Sequence, residues 1–121
     1  MKKYTKEHQW IEAQADGTAK VGITRFAADE LGEVTFVELP AVGKLIHGSE
    51  PLCVVESVKA ASDVFLPVTG TIAQVNAPLE KNPSPVNDDP EGEGWICILS
   101  NPDLAAMDAL MTPEQYQEFC R

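Results

Sequence analysis

The sequence predicts a mainly β protein, a flattened barrel or sandwich built from two similar halves. Three observations support this prediction: numerous short apolar segments between turn-forming residues, an internal repeat, and only short stretches with helical periodicity. The 121 residues have the length of one domain, with a core over about residues 4–100 and C-terminal helices over about 102–120.

Seven segments carry β-branched or aromatic residues between turn formers, a composition typical of strands. They are 10–13, 19–23, 34–39, 51–56, 61–66, 70–75 and 94–99. Between the first two, Asp16-Gly17 is a favoured sequence for a tight hairpin turn. We therefore expect the chain to begin with an antiparallel hairpin.

The internal repeat consists of four turn or core residues that recur at identical spacing. They are Gly32, Val34, Val37 and Pro40, matched by Gly70, Ile72, Val75 and Pro78. Later in each half comes an apolar segment, around Val54 and around Ile96. We interpret the match as two copies of one β unit, paired about a pseudo-twofold axis.

Three short helices are predicted. Thr24 is suited to cap a helix over 25–31, which Gly32 would end. Asn101-Pro102 is expected to open a second helix, with Leu104, Met107 and Leu110 on its packing face. The sequence 112–115 has the pattern of a capping box and would start a third helix.

The net charge of −10, from 9 basic and 19 acidic side chains, argues against nucleic-acid and membrane partners. No segment approaches the roughly 20 apolar residues of a membrane-spanning helix. The charged residues 1–8 are not followed by the apolar stretch of a secretion signal. The expected location is therefore the bacterial cytoplasm.

The residue types that perform catalysis or bind metals do not occur in productive patterns. Cys53 and Cys97 lie in apolar runs and are expected to be buried thiols, not members of a disulfide framework. His8 and His47 lack partners at ligand spacing, and the acidic stretch 87–93 does not fit a calcium loop. We therefore predict no metal site and no enzymatic activity.

Lys59 is the leading candidate for a functional residue. It lies in a short stretch of small and polar residues between the predicted strands 51–56 and 61–66, which indicates a hairpin with the lysine at its turn. There the side chain would contact only water and be accessible to a modifying enzyme. Exposed lysines are common, so position alone does not separate a modified lysine from an ordinary one.

The segment Glu56-Ser57-Val58-Lys59-Ala60-Ala61-Ser62-Asp63 resembles the lipoyl-attachment segment of the glycine cleavage H-protein family. Further segments resemble the same family in the same order, so that the likeness extends from about Tyr4 to Cys120. These segments are 4–10, 21–24, 31–40, 86–95 and 116–120.

The resemblance implies a lipoyl-domain-like fold and a non-catalytic carrier of glycine catabolism and one-carbon metabolism, with lipoic acid in amide linkage to Lys59. The carrier would take an aminomethyl group from the pyridoxal-phosphate enzyme glycine decarboxylase to a tetrahydrofolate-dependent aminomethyltransferase. It would then present its dithiol to dihydrolipoyl dehydrogenase. A lipoate ligase or a lipoyl or octanoyl transferase would attach the cofactor.

The resemblance also implies roles for residues around the lysine. Glu56 and Gly43 occupy places that matter for ligase recognition in related lipoyl domains. Asp63 and Gln9 would border the cleft in which the loaded arm docks, with Asp63 binding the amine more strongly because it is ionised. Family members often have Glu where this chain has Gln9, so one charge is missing here.

Two alternatives to this assignment change the cargo or the pathway. A biotinyl domain would have Met on both sides of the lysine, and Val58 and Ala60 argue against it. A lipoyl donor or relay, or a carrier for another lipoate-dependent system, would need the same exposed lysine. The sequence leaves that second alternative open.

Overall fold

Short strands dominate the computed structural model, which describes residues 2–120. The strands are β1 (Lys2–Tyr4), β2 (Gln9–Ala13), β3 (Ala19–Ile23), β4 (Val34–Glu38), β5 (Leu45–Ile46), β6 (Pro51–Ser57), β7 (Ala61–Phe65), β8 (Gly70–Val75) and β9 (Cys97–Ser100). The helices are α1 (Arg25–Leu31), α2 (Ser84–Asp88), α3 (Leu104–Asp108) and α4 (Pro113–Phe119), with a 3-10 helix over Ala77–Glu80. The mainly β fold class is confirmed.

Two antiparallel sheets enclose the core. One sheet has the strand order β1-β2-β3-β9-β8-β5, and the other has the order β4-β6-β7. Apolar side chains from both sheets meet between them, among them the fully buried Val21, Ile72 and Leu99 of the larger sheet and Val37 and Val55 of the smaller. Burial of this apolar surface is the main source of folding stability.

Strand register confirms the internal repeat. In the pairing of β4 with β6, Val34 lies opposite Ser57 and Val37 opposite Val55, with an irregularity between Val34 and Phe36. The pairing of β8 with β9 repeats this arrangement: Ile72 lies opposite Leu99, Val75 lies opposite Cys97, and the irregularity falls between Ile72 and Gln74. A bulge at the same place in both copies bends the two strands alike.

The predicted hairpin between β2 and β3 is present, with Gly17 at a φ of 87° in its turn. The predicted strand 94–99 was wrong at its start, because β9 begins at Cys97. Gly94 and Trp95 belong instead to a turn in which their N–H groups donate to Asp89 O and Gly92 O. The sequence also failed to predict β1 and β5, which are too short to show an alternating pattern.

Two of the three predicted helices have the predicted ends. Thr24 caps α1 by accepting from Ala27 N, and Gly32 ends it with a φ of 78°. At α4, Thr112 and Gln115 form the predicted capping box.

The predicted start of the remaining helix was wrong. Helix α3 begins at Leu104 and is capped by Asp103, whereas Asn101 has a φ of 49°. Asp is a strong N-cap, and the Asp103 side chain accepts from Ala106 N. Met107 is buried as predicted, but Leu104 is exposed. Helix α2 and the 3-10 helix were not predicted.

The cysteines behave as small apolar residues. Cys53 and Cys97 are buried, and burial raises the pKa of the Cys53 thiol to about 12. Within residues 2–120 there is no disulfide, and no three His, Cys, Asp or Glu side chains are grouped to hold a metal ion. In the same range, no helix has the length and apolar character needed to cross a bilayer.

Candidate functional site

Lys59 lies at the turn between β6 and β7, as the sequence predicted. The two strands pair up to Glu56 and Ala61, so that residues 58–60 alone connect the hairpin. Val55 on β6 is fully buried, which anchors the hairpin in the core. Lys59 itself is exposed.

Ser57 fixes the conformation of this turn. Its Oγ accepts hydrogen bonds from Lys59 N and Ala60 N, both at 3.3 Å, and donates to Ala60 O at 3.1 Å. Ser57 N also donates to Ala60 O, at 2.8 Å. No sequence pattern indicated this role for Ser57, although serine is common in turns because its hydroxyl bonds nearby backbone groups.

The Lys59 side chain does not contact only water, and that expectation was wrong. Its Nζ donates to the backbone oxygen of Glu30 at 2.6 Å. Glu30 lies in the last turn of α1, where carbonyl groups lack intrahelical partners. The side chain passes over Gly32, at which an added Cβ would lie 3.4 Å from Lys59 Cε.

Asn87 on α2 holds the segment on which Lys59 rests. Its Oδ1 accepts from Val34 N at 2.8 Å, and its Nδ2 donates to Gly32 O at 2.7 Å. Glu33 lies between Gly32 and Val34, and its backbone oxygen accepts a hydrogen bond from Val58 N at 3.0 Å. This bond ties the segment to the hairpin. No sequence pattern indicated this role for Asn87.

A cleft of about 190 Å³ lies beside the hairpin, between β2, α1 and β7. It brings together Gln9 and Asp63, the two residues that the sequence analysis assigned to arm docking. Glu7, His8 and Glu30 also line it. Glu56 and Gly43 do not; Glu56 is exposed on β6, and Gly43 has a φ of 91° in the loop before β5.

Gln9 and Asp63 differ in how free their polar groups are. The Gln9 side chain is buried, with Oε1 accepting from Thr5 Oγ1 at 2.7 Å and Nε2 donating to Glu7 O at 2.9 Å. A ligand in the cleft would have to compete with these partners. Asp63 is exposed, and its backbone pairs with Val54 on β6.

His8 is held in the wall of the cleft by a chain of hydroxyl groups. Its Nδ1 lies 2.6 Å from Tyr116 Oη, which lies 2.7 Å from Thr24 Oγ1. Thr24 is fully buried and already accepts from Ala27 N. Both hydroxyl hydrogens have partners if Thr24 donates to Tyr116 and Tyr116 donates to His8 Nδ1, so we assign that direction.

This assignment makes His8 a neutral ring with its proton on Nε2. Burial lowers the pKa of His8, and the nearby carboxylates of Glu30 and Glu7 oppose that shift. The ring is therefore uncharged at pH 7. His8 also stacks on Phe26 at a centroid distance of 4.3 Å and has a φ of 68°, which is uncommon for a residue other than glycine.

Tyr116→Phe is expected to lower the free energy of unfolding by about 1–3 kcal/mol, because it leaves the buried Thr24 hydroxyl without its acceptor. Urea denaturation measures the loss. The matched control is Tyr4→Phe, since Tyr4 Oη bonds to Glu91, a partly exposed side chain that water can solvate instead. Equal losses in the two variants would contradict the assigned chain of hydroxyl groups.

Comparison with known proteins gives consistent matches along the whole chain. The family model described as glycine cleavage H-protein matches residues 2–121. The glycine cleavage system H protein of Coprothermobacter proteolyticus is 50% identical over 117 residues, covering 97% of this chain and 92% of that protein. The glycine cleavage system H protein of Thermus thermophilus is 51% identical over 115 residues, covering 95% of this chain and 89% of that protein.

Among solved structures, the crystal structure of a glycine cleavage system H protein from Mycobacterium marinum matches with a TM-score of 0.86 and 36% identity. The match covers 97% of this chain and 94% of that one.

Proposed function

The chain belongs to the glycine cleavage H-protein family, and from this premise we propose that it carries lipoic acid in amide linkage to Lys59. The names of its relatives support a lipoyl carrier role in glycine cleavage. The observation that carries the attachment site is the exposed amine at the tip of a rigid hairpin, beside a cleft.

The residues around Lys59 suit this group. Attachment needs an accessible primary amine on a frame that a modifying enzyme can bind, and Ser57 and the paired strands provide the frame. The cleft has apolar wall residues, including Ile23, Leu31 and Val64, which suit an alkyl chain and a sulfur ring. When bound, lipoic acid supplies a strained disulfide that accepts electrons and a one-carbon unit.

The chain itself displays the lipoyl arm and shelters its cargo. The hairpin presents Lys59 to successive enzymes, and Asp63 offers a carboxylate at the cleft for an amine cargo. We propose three enzyme partners: glycine decarboxylase, the tetrahydrofolate-dependent aminomethyltransferase and dihydrolipoyl dehydrogenase. Because the relatives are bacterial, the proposal includes the bacterial cytoplasm as the location.

Reconstitution tests the proposed function. The lipoylated protein is mixed with glycine decarboxylase and glycine labelled at its carboxyl carbon, and release of labelled CO₂ is measured. We expect release to require the lipoylated chain and to become catalytic when the other two enzymes are added. Transfer of the lipoyl group to another carrier domain without CO₂ release would favour the relay alternative.

Glu56→Ala is expected to slow lipoylation at least about threefold, because an exposed acid three residues before Lys59 is placed to pair with a basic ligase surface. Ligase kinetics followed by intact mass measure the effect, and circular dichroism should be unchanged. The control is Glu38→Ala, another exposed acid on a strand of the same sheet. A wild-type rate in Glu56→Ala would leave Glu56 as a surface charge only.

A further inference from the structure

The cleft beside Lys59 has an acidic character that Gln9 and Asp63 alone do not describe. Three carboxyl-bearing residues line it, Glu7, Glu30 and Asp63, and no lysine or arginine is among its lining residues. His8 in its wall is neutral at pH 7, because burial lowers the pKa of that ring. The charges of the cleft therefore favour a cation.

Glu30 is the acid of this group that both lines the cleft and bonds to the attachment lysine. In the unmodified chain its backbone oxygen accepts a hydrogen bond from Lys59 Nζ at 2.6 Å, so this turn of α1 lies against the attachment residue. The Glu30 carboxylate raises the pKa of His8 more than the Glu7 carboxylate does. Glu30 therefore lies where the attachment lysine and the cleft meet.

Gln9 is poorly suited to bind an amine. Both ends of its amide are engaged inside the protein, with Thr5 and with the Glu7 backbone. Replacement by Glu would put a carboxylate oxygen 2.9 Å from Glu7 O, where the amide now donates a hydrogen bond. The charge that a cationic cargo requires must come from another residue.

We propose that Glu30 is a specificity-determining residue of the carrier, whose carboxylate acts with Asp63 to bind the protonated amine of the aminomethyl cargo. This inference rests on the proposed function and assigns the amine contact to α1 instead of Gln9. A charged acceptor binds an ammonium group more strongly than a neutral amide does.

Binding the amine in its protonated form has a chemical consequence. An aminomethyl thioether breaks down when the nitrogen lone pair forms a C=N bond as the C–S bond breaks and sulfur leaves as thiolate. Water then adds to the carbon, so that R–S–CH₂–NH₂ and H₂O give R–SH, CH₂O and NH₃, with no change of oxidation state overall. A protonated nitrogen has no lone pair to donate, so its carboxylate partner slows the loss of cargo.

The test compares wild type with Glu30→Gln and, as a matched control, Glu33→Gln. Glu33 is exposed in the same junction after α1 but does not line the cleft. Each lipoylated protein is loaded with glycine and glycine decarboxylase, freed of the enzyme, and followed for release of ammonia and formaldehyde. We expect release from Glu30→Gln to be about threefold faster or more, and release from Glu33→Gln to match wild type.

A second measurement needs no cofactor. NMR titration of the unmodified proteins should show a lower His8 pKa in Glu30→Gln than in wild type, because the Glu30 carboxylate raises it. In Glu33→Gln the His8 pKa should be unchanged.

The outcomes separate this inference from the function on which it rests. If Glu30→Gln loads normally and loses cargo at the wild-type rate, the role of Glu30 is overturned and the carrier function stands. An unchanged His8 pKa in Glu30→Gln would also overturn it, because the carboxylate would not face the cleft. If wild type takes up no cargo from glycine, the proposed function fails, and this inference fails with it.

Discussion

Lys59→Arg is expected to abolish lipoylation and all glycine-dependent CO₂ release, while the free energy of unfolding stays within about 0.5 kcal/mol of wild type. Arginine keeps the positive charge and can still donate to the backbone oxygen of Glu30, which Lys59 Nζ contacts at 2.6 Å. Its guanidinium group remains protonated and cannot serve as the amine nucleophile for an amide bond. A single substitution therefore removes the modification while leaving folding stability nearly unchanged.

Mass spectrometry of peptides after incubation with a lipoate ligase measures the first effect, and the reconstituted assay measures the second. Lys44→Arg is the control, since Lys44 is exposed in a loop before β5 and should leave the adduct on Lys59 unchanged. An adduct that persists in Lys59→Arg would show that another lysine is the attachment site.

Asn87→Ala is expected to lower the free energy of unfolding by about 2–3 kcal/mol, a large effect for a residue outside the core. The substitution removes two hydrogen bonds with backbone groups, one accepted from Val34 N and one donated to Gly32 O, and Val34 is buried. Because this junction supports Lys59 and is bonded to Val58 through Glu33, lipoylation should also be slower. Chemical denaturation and ligase kinetics measure the two effects.

Two variants show whether the loss comes from these bonds. Asn87→Asp keeps an acceptor for Val34 N but places a carboxylate oxygen against Gly32 O, where the amide now donates, so we expect a loss at least as large as for alanine. Asn82→Ala removes an exposed acceptor of Ser84 N and should cost less than about 1 kcal/mol. A loss below about 0.5 kcal/mol in Asn87→Ala would mean that water replaces both bonds.

The features predicted correctly from the sequence are those encoded by residues close together in the chain. The caps of α1 and α4 depend on contacts over three residues, Thr24 with Ala27 and Thr112 with Gln115. The turn that displays Lys59 is set by the residues on each side of it. The repeat was also visible, because both of its copies place the same residue types at the same spacing along β4 and β8.

The local signal failed where two neighbouring cues competed or where an element was very short. Asn101 and Asp103 are both residue types that favour an N-cap, and it is Asp103 that caps α3. Strand β5 has only two residues and exists because it pairs with β8. Neither outcome depends on hydrophobic period, which was the main signal used for prediction.

The sequence by itself determined the fold class, the helix caps and the display of Lys59. Only the tertiary structure decided what surrounds that lysine. Lys59 contacts Glu30, which lies 29 residues away in the chain. The two Asn87 bonds span 53 and 55 residues, and the bond between His8 and Tyr116 spans 108. Such pairs leave no periodic pattern, because they depend on how the two sheets and the C-terminal helix pack together. Packing of distant segments also brings Gln9 beside Asp63, whereas the bonds that engage the Gln9 amide are local, to Thr5 and to the Glu7 backbone.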